Sequence, residues 1–171
     1  METLSGGIAG RGVLLDLPRF LGVGRLQSSH VVTPAELDSC AAAQGCEVGD
    51  GDIVLVRTGW IQELREQGPK AYMEREPGIG LPVTEWLTER HVAFVASDNW
   101  GVEAVPSASG ASMPVHCVVV RDLGMCIGEM FDLEQLARRC AEQDRWCFLF
   151  VAQPLVISGG VGSPLNPMAI L

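Results

Sequence analysis

Basic side chains are scarce in this chain of 171 residues: 12 Lys and Arg stand against 21 Asp and Glu, for a formal net charge of −9. A nucleic-acid-binding surface needs clustered cations to displace phosphate counterions, and anionic lipid attracts the same cations. We therefore expect neither a nucleic-acid partner nor a membrane partner. Long apolar runs are missing too, since the stretch at 147–157 is interrupted by Gln153 and Pro154 and is too short to span a bilayer.

Several motifs are also absent. The six cysteines form no Cys-x-x-Cys pair, which argues against a zinc ribbon and a thioredoxin-type redox site. There is no Walker-type phosphate loop and no Gly-x-Ser-x-Gly elbow. Cys117, Cys126 and Cys147 lie in apolar runs, as buried free thiols do, and this predicts a cytoplasmic location. The first residues lack the basic and apolar regions of a signal peptide.

The composition, 47% hydrophobic and 19% charged, is typical of a globular α/β domain, and the length predicts a single domain over residues 1–171. Capping boxes at 33–36 and 132–135 predict that a helix begins at each. Residues 68–82 are expected to form a surface loop, residues 101–114 a long loop of the kind that is often functional, and residues 116–121 a helical turn. Strand-like runs alternate with helical patterns: strands are expected at 12–17, 52–57, 92–97, 125–130 and 148–157, and helices at 34–44, 61–67, 83–90 and 132–142.

Only three histidines occur. His91 is expected to complement a helix dipole, and His30 to lie in a solvated loop. His116 follows the long loop and precedes Glu129, so that a helical turn and a strand could bring the two to one pocket wall. An imidazole nitrogen and a carboxylate oxygen suit Zn²⁺ or Mn²⁺. An ordinary partly buried histidine is the alternative, and two ligands do not complete a catalytic zinc site.

Polar residues at strand ends are a second set of candidates. Asp98 and Asn99 follow one apolar run, and Arg57 ends another. Ligand pockets of α/β sheets lie at such carboxyl ends, so these residues are predicted to line a substrate pocket. An Asx-type turn at Asp98 and Asn99, and a structural ion pair at Arg57, are the alternatives.

Several segments, in a fixed order, resemble one family. The sequence resembles the cyclase family of metal-dependent hydrolases, which includes kynurenine formamidase and isatin hydrolase. The segments that carry the resemblance are Arg-Gly-Val-Leu-Leu-Asp-Leu-Pro at 11–18, Asp-Ile-Val-Leu-Val-Arg-Thr-Gly at 52–59, Pro-Gly at 77–78 with Trp-Leu at 86–87, Gly-Met-Cys-Ile-Gly-Glu-Met-Phe-Asp-Leu at 124–133, and Pro-Leu-Val-Ile-Ser-Gly-Gly at 154–160 followed by Gly-Ser-Pro-Leu-Asn-Pro at 162–167.

The resemblance implies a fold and an activity. It implies a mixed-sheet, swivelling β/β/α domain and hydrolysis of small-molecule amides or lactams, such as aryl formamides of the N-formylkynurenine type or isatin. It further implies bound Zn²⁺ or Mn²⁺ that activates water and polarises the carbonyl, and a homo-oligomer. In this resemblance His116 is a metal ligand or a catalytic group beside the metal, and Glu129 is a metal ligand.

One departure from the family pattern is clear. The family's His-x-Gly-Thr-His-x-Asp motif, which precedes the strand at residue 11 in its members, does not occur in this sequence. The sequence therefore predicts the C-terminal two-thirds of the family domain, N-terminally truncated, with an incomplete metal site. Two alternatives are open: a non-catalytic relative that acts in oligomer assembly or ligand binding, and a chain that takes its missing ligands from a partner subunit.

Overall fold

The computed structural model describes residues 2–171 and contains a six-stranded and a two-stranded sheet. The strands are β1 (Ile8–Asp16), β2 (Val31–Val32), β3 (Ile53–Arg57), β4 (Gly78–Ile79), β5 (Phe94–Ser97), β6 (Cys126–Gly128), β7 (Cys147–Ala152) and β8 (Met168–Ile170). The helices are α1 (Leu17–Leu21), α2 (Pro34–Ala43), α3 (Ile61–Gln67), α4 (Pro69–Glu74), α5 (Val83–Glu89), α6 (Pro114–His116) and α7 (Glu134–Gln143), with a 3₁₀ helix at Glu2–Leu4 and a π-helix at Cys117–Asp122.

The main sheet has the strand order β6-β5-β3-β1-β7-β8, and β2 pairs with β4 separately. Strands β6, β5, β3 and β1 are parallel neighbours, whereas β7 and β8 run antiparallel. Every residue of β3 and β5 is buried, as expected for parallel strands covered on both faces. The predicted mixed α/β fold is confirmed. No helix of residues 2–171 has both the length and the apolar character needed to cross a membrane.

Apolar side chains cover both faces of the main sheet. On one face, Val13, Val54 and Val95 pack against α2, α5 and the π-helix. On the other face, Leu55 and Phe150 belong to a second cluster that includes residues of α7. Because successive strand residues point to opposite faces, the same strands supply both clusters.

The two predicted capping boxes have different outcomes. At α2 the box is confirmed: Thr33 Oγ1 accepts from the N–H of Glu36 at 3.3 Å, and Glu36 accepts from the N–H of Thr33 at 2.8 Å. At α7 the prediction of a capping box is wrong. Leu133 precedes the helix and is buried in the core, and Asp132 forms an ion pair with Arg65.

The predicted last strand is too long. It ends at Ala152, before Pro154, whose missing N–H cannot join a ladder. Residues 153–167 contain no helix or strand, and the chain then forms β8 at the sheet edge, where β7 is its one partner among the described strands. About half of the surface of Leu149, Met168 and Ile170 is exposed here.

Residues 68–82, predicted as a surface loop, are partly buried. They contain α4 and β4. The exposed fraction is at most 1% for Tyr72, Glu76 and Ile79. Gly78 lies against the backbone of Val102 and Glu103, where an added Cβ would be 2.4 Å from the Glu103 carbonyl carbon. Only glycine permits this approach, so Gly78 fixes the position of the segment that begins at residue 102.

We expect Gly78→Ala to lower the free energy of unfolding by about 1–3 kcal/mol, because the new methyl group meets backbone that cannot move aside. Urea unfolding followed by circular dichroism measures the change. Gly49→Ala is the matched control, since a Cβ at Gly49 meets nothing within 4 Å. Equal midpoints for the two variants would show that the segment at residue 102 can shift freely.

Candidate functional site

The carboxyl ends of the parallel strands place polar side chains along one edge of the main sheet. Arg57 ends β3, Asp98 and Asn99 follow β5, and Glu129 follows β6. Because these strands are parallel neighbours, their ends meet at the same edge. His116, the last residue of α6, contacts Glu129, so the structure also brings the helical turn to this edge.

Asp98 is completely buried and is hydrogen-bonded to the residues that follow β3. Its carboxylate accepts from Thr58 N–H at 2.7 Å, Thr58 Oγ1 at 2.6 Å and Gly59 N–H at 2.7 Å. Burial raises the pKa of Asp98 to about 6, although these hydrogen bonds oppose the rise. The carboxylate therefore joins the ends of β3 and β5, and its predicted contact with substrate stays a prediction.

Arg57 forms two ion pairs at the same edge. Its guanidinium lies 2.7 Å from Asp16 and 2.8 Å from Glu134, which links the ends of β1 and β3 to the start of α7. The ion-pair alternative foreseen for Arg57 is thus present in the structure. Its predicted role in a substrate pocket is a separate matter and stays a prediction.

Asn99 connects three segments. Its side-chain N–H donates to the Pro77 carbonyl at 2.6 Å, and its main-chain carbonyl accepts from the N–H of Met130 at 2.8 Å. Asn99 Oδ1 is buried and has no hydrogen-bond partner among residues 2–171. The Met130 contact holds the residue next to Glu129 against the end of β5.

His116 and Glu129 are the predicted site residues that contact each other directly. Nε2 of His116 lies 3.0 Å from a Glu129 carboxylate oxygen, and both side chains are partly exposed, at 26% and 39%. Hydrogen bonds to Glu103 and Glu129 raise the pKa of His116 to about 9, because both carboxylates stabilise the imidazolium. The pair is partly open to solvent, and a cation that displaced the Nε2 proton would meet one nitrogen and one oxygen donor.

Glu103, which sequence reasoning missed, lies on the other side of the same imidazole. One of its carboxylate oxygens is 2.7 Å from His116 Nδ1, and the side chain is only 2% exposed. It was missed because residues 101–114 are mostly small and polar and predicted a long loop, in which no single acid stood out. The apolar neighbours Val102 and Ala104 were the available signal, since such residues beside an acid favour burial.

Glu76 is a second buried acid that sequence reasoning missed. One of its oxygens accepts from the Trp100 N–H at 2.6 Å, while the other has no partner within the described chain. Burial raises the pKa of Glu76 to about 8. The backbone N–H groups of Trp100 and Gly101 oppose this rise, and the charges of Glu129 and Asp98 add to it.

The donor atoms suit a divalent metal ion in type, but their number falls short. An imidazole nitrogen and a carboxylate oxygen 3.0 Å apart are a donor pair that zinc or manganese accepts. Across residues 2–171, no group of three or more His, Cys, Asp or Glu side chains is arranged to hold a metal ion. His116 and Glu129 can therefore supply two ligands of a site that needs about three from protein.

Comparison with known proteins identifies relatives of the chain. The family model described as "Putative cyclase" matches residues 2–104. Isatin hydrolase of Roseibium aggregatum is 23% identical over an aligned length of 149 residues, and the match covers 80% of this chain and 51% of that protein. The chain thus spans about half the length of this curated relative.

Two solved structures resemble the chain in fold. The crystal structure of a novel cyclase is 38% identical, with a TM-score of 0.91, and the match covers 99% of this chain and 56% of that one. A structure described as a potential metal-dependent hydrolase with cyclase activity is 18% identical, with a TM-score of 0.68, over 99% of this chain and 69% of that one. The second likeness concerns the fold alone.

The buried acid Glu76 generates a prediction on pH and stability. Below its unfolded pKa, near 4.5, Glu76 is protonated in both states. Between that value and about 8 the unfolded chain loses the proton while the folded chain keeps it, so stability falls as pH rises. Above about 8 the loss is complete.

We expect Glu76→Gln to remove this loss and to raise the free energy of unfolding relative to the natural sequence by roughly 2–4 kcal/mol at pH 9, with little difference at pH 4.5. Chemical unfolding at a series of pH values measures it. A difference that stays constant with pH would show that Glu76 does not keep a proton in the folded chain.

Proposed function

The chain belongs to the cyclase family, and on that premise we propose that it forms part of a metal-dependent hydrolase that cleaves C–N bonds of small-molecule amides or lactams. The observation that carries the proposal is the His116–Glu129 pair, which presents a nitrogen and an oxygen donor 3.0 Å apart at the carboxyl edge of the sheet. The relatives support the reaction class, since one of them is an isatin hydrolase.

His116 Nε2 and Glu129 are the residues that would hold Zn²⁺ or Mn²⁺. Such an ion, when bound, polarises the substrate carbonyl and lowers the pKa of water, so that water more readily gives up a proton and becomes a stronger nucleophile. Because the described residues supply two donors where about three are needed, the remaining ligands come from polypeptide outside this set, such as a second subunit of a homo-oligomer.

The hydrolysis that we propose consumes one water molecule. The water oxygen adds to the carbonyl carbon, the C–N bond breaks, and the nitrogen leaves with a proton. Isatin and aryl formamides of the N-formylkynurenine type are the proposed substrates. Where the ion lies beside His116 rather than on it, Nε2 is placed to move the proton, since it is partly exposed and already hydrogen-bonded to a carboxylate.

A second candidate function is non-catalytic, with the chain acting in ligand binding or oligomer assembly. The specific observation in its favour is the donor count, since two metal-binding side chains do not complete a catalytic site. The expected cytoplasmic location, like the single domain and the homo-oligomer, stays a prediction.

We expect the purified chain to bind Zn²⁺ at one site, and His116→Gln and Glu129→Gln each to weaken binding at least about tenfold, because each removes one donor. Isothermal titration with Zn²⁺ and with Mn²⁺ measures the affinity. His30→Gln is the matched control. Nε2 of His30 lies 2.8 Å from Glu36, and the exposed fraction of its side chain, 27%, is close to the 26% of His116. Equal losses in His30→Gln and His116→Gln would remove the support for a metal site at His116.

Hydrolysis decides between the two candidate functions. Isatin turnover by the metal-loaded chain is measured over a series of protein concentrations. Specific activity that rises with concentration and vanishes in Glu129→Gln supports a site completed by a second subunit. Activity independent of concentration contradicts our count of donors, and bound metal without turnover of isatin or an aryl formamide at any concentration favours the non-catalytic function.

A further inference from the structure

Both carboxylate oxygens of Glu103 contact the helical turn that carries His116. One oxygen accepts from the Val115 N–H at 3.1 Å. The other accepts from the His116 N–H at 3.0 Å and lies 2.7 Å from His116 Nδ1. A single buried carboxylate thus holds the backbone of the turn and the imidazole ring at once.

The backbone around Glu103 is itself fixed. Ile79 donates its N–H to the Val102 carbonyl at 3.0 Å and accepts from the Ala104 N–H at 3.2 Å. Gly78 lies directly against the Glu103 backbone. The carboxylate therefore projects from a segment bonded to β4, and it is not a mobile loop side chain.

The imidazole of His116 lies between two carboxylates. Each carboxylate accepts a hydrogen bond from the ring nitrogen that it faces: the buried Glu103 holds the Nδ1 proton, and Nε2 faces the more exposed Glu129, where a cation would displace its proton. His30 has no such carboxylate at Nδ1 within the described chain, because its contact with Glu36 is made through Nε2. His91 differs too, since its side chain is 74% exposed and lies 3.9 Å from Asp50.

We propose that Glu103 is a positioning residue, which holds the His116 ring in one orientation with the proton on Nδ1, so that Nε2 is presented toward Glu129. The inference rests on the proposed function, because it assigns a partner to the residue that would bind the ion or move the proton. Glu103 is not itself a ligand, since its oxygens are occupied by Val115 and His116 and are shielded from solvent. Such carboxylate partners fix the tautomer of a ligand histidine and raise its basicity.

The first test is proton NMR of the metal-free chain with ¹⁵N-labelled histidine. Only three histidines contribute signals. We expect a downfield, slowly exchanging Nδ1–H resonance of His116, because a shielded carboxylate accepts that proton. The resonance should persist in Glu129→Gln and disappear in His116→Gln and Glu103→Ala. An unprotected Nδ1 in the natural sequence, or a resonance that survives Glu103→Ala, overturns the proposal.

The second test is Zn²⁺ affinity in Glu103→Gln, which keeps the size of the side chain and one acceptor oxygen. We expect affinity to fall about 10- to 100-fold, the usual cost of removing such a partner. Glu36→Gln is the control: it makes the same change beside His30 and should leave Zn²⁺ affinity unaltered. A folded Glu103→Gln variant with unchanged affinity means that Glu103 only anchors the turn, and this also overturns the proposal.

The two tests separate this inference from the proposed function. A chain that shows the Nδ1–H resonance but binds no Zn²⁺ retains the positioning role and loses the metal site. A chain that binds Zn²⁺ through His116 and Glu129, without the resonance and without sensitivity to Glu103→Gln, retains the metal site and loses the positioning role. If the Glu103 variants fail to fold, the resonance of the natural sequence decides alone.

Discussion

The carboxylate of Asp98 joins the ends of two central strands, and the surrounding site depends on that joint. Its three hydrogen bonds to Thr58 and Gly59 hold the segment after β3 against the segment after β5. The next residue, Asn99, bonds to Met130 and thereby holds the end of β6 in place. Without this buried acceptor, the donors of Thr58 and Gly59 would be unpaired, at a cost of about 1–3 kcal/mol for each buried group.

Electrostatics around this joint explain why a cation suits the site. The charges of Glu129 and Asp98 both contribute to the raised pKa of Glu76, after its burial. Arg57 is committed to Asp16 and Glu134, and His116 is shared between Glu103 and Glu129. Negative charge therefore exceeds positive charge at this edge of the sheet, which is the field that a divalent ion would relieve.

The sequence predicted the parts of the structure that depend on residues close together in the chain, such as helix caps and apolar strands. The capping box at Thr33 and the apolar runs of β3 and β5 have local causes, and both are present. His116 and Glu129 also contact each other, whereas their place in a pocket wall stays a prediction. The alternative readings of Arg57 and Asp98 were open because ion pairs and pockets use the same residue types at strand ends.

The parts that the sequence did not foretell depend on distant backbone. Glu76 and Glu103 are buried because β4 and the segment at 102–105 pair with each other, and no local pattern announces that pairing. Gly78 resembles any loop glycine in sequence, although it permits the closest of these approaches. At α7, the buried Leu133 takes the position before the helix, while Asp132 pairs with a distant arginine and accepts from the N–H of Glu134.

The edge of the sheet at β8 has a consequence for handling the protein in solution. The edge strand β8, with half-exposed Met168 and Ile170 and with Leu149 on the neighbouring strand, can pair with other chains. The net charge of −9 opposes such encounters through repulsion between like molecules. This repulsion is screened beyond about 10 Å at 0.1 M ionic strength. Buffers of low ionic strength above the isoelectric point, near 4.7, therefore keep the chains apart, whereas concentrated salt removes the barrier and strengthens apolar contact at the same time.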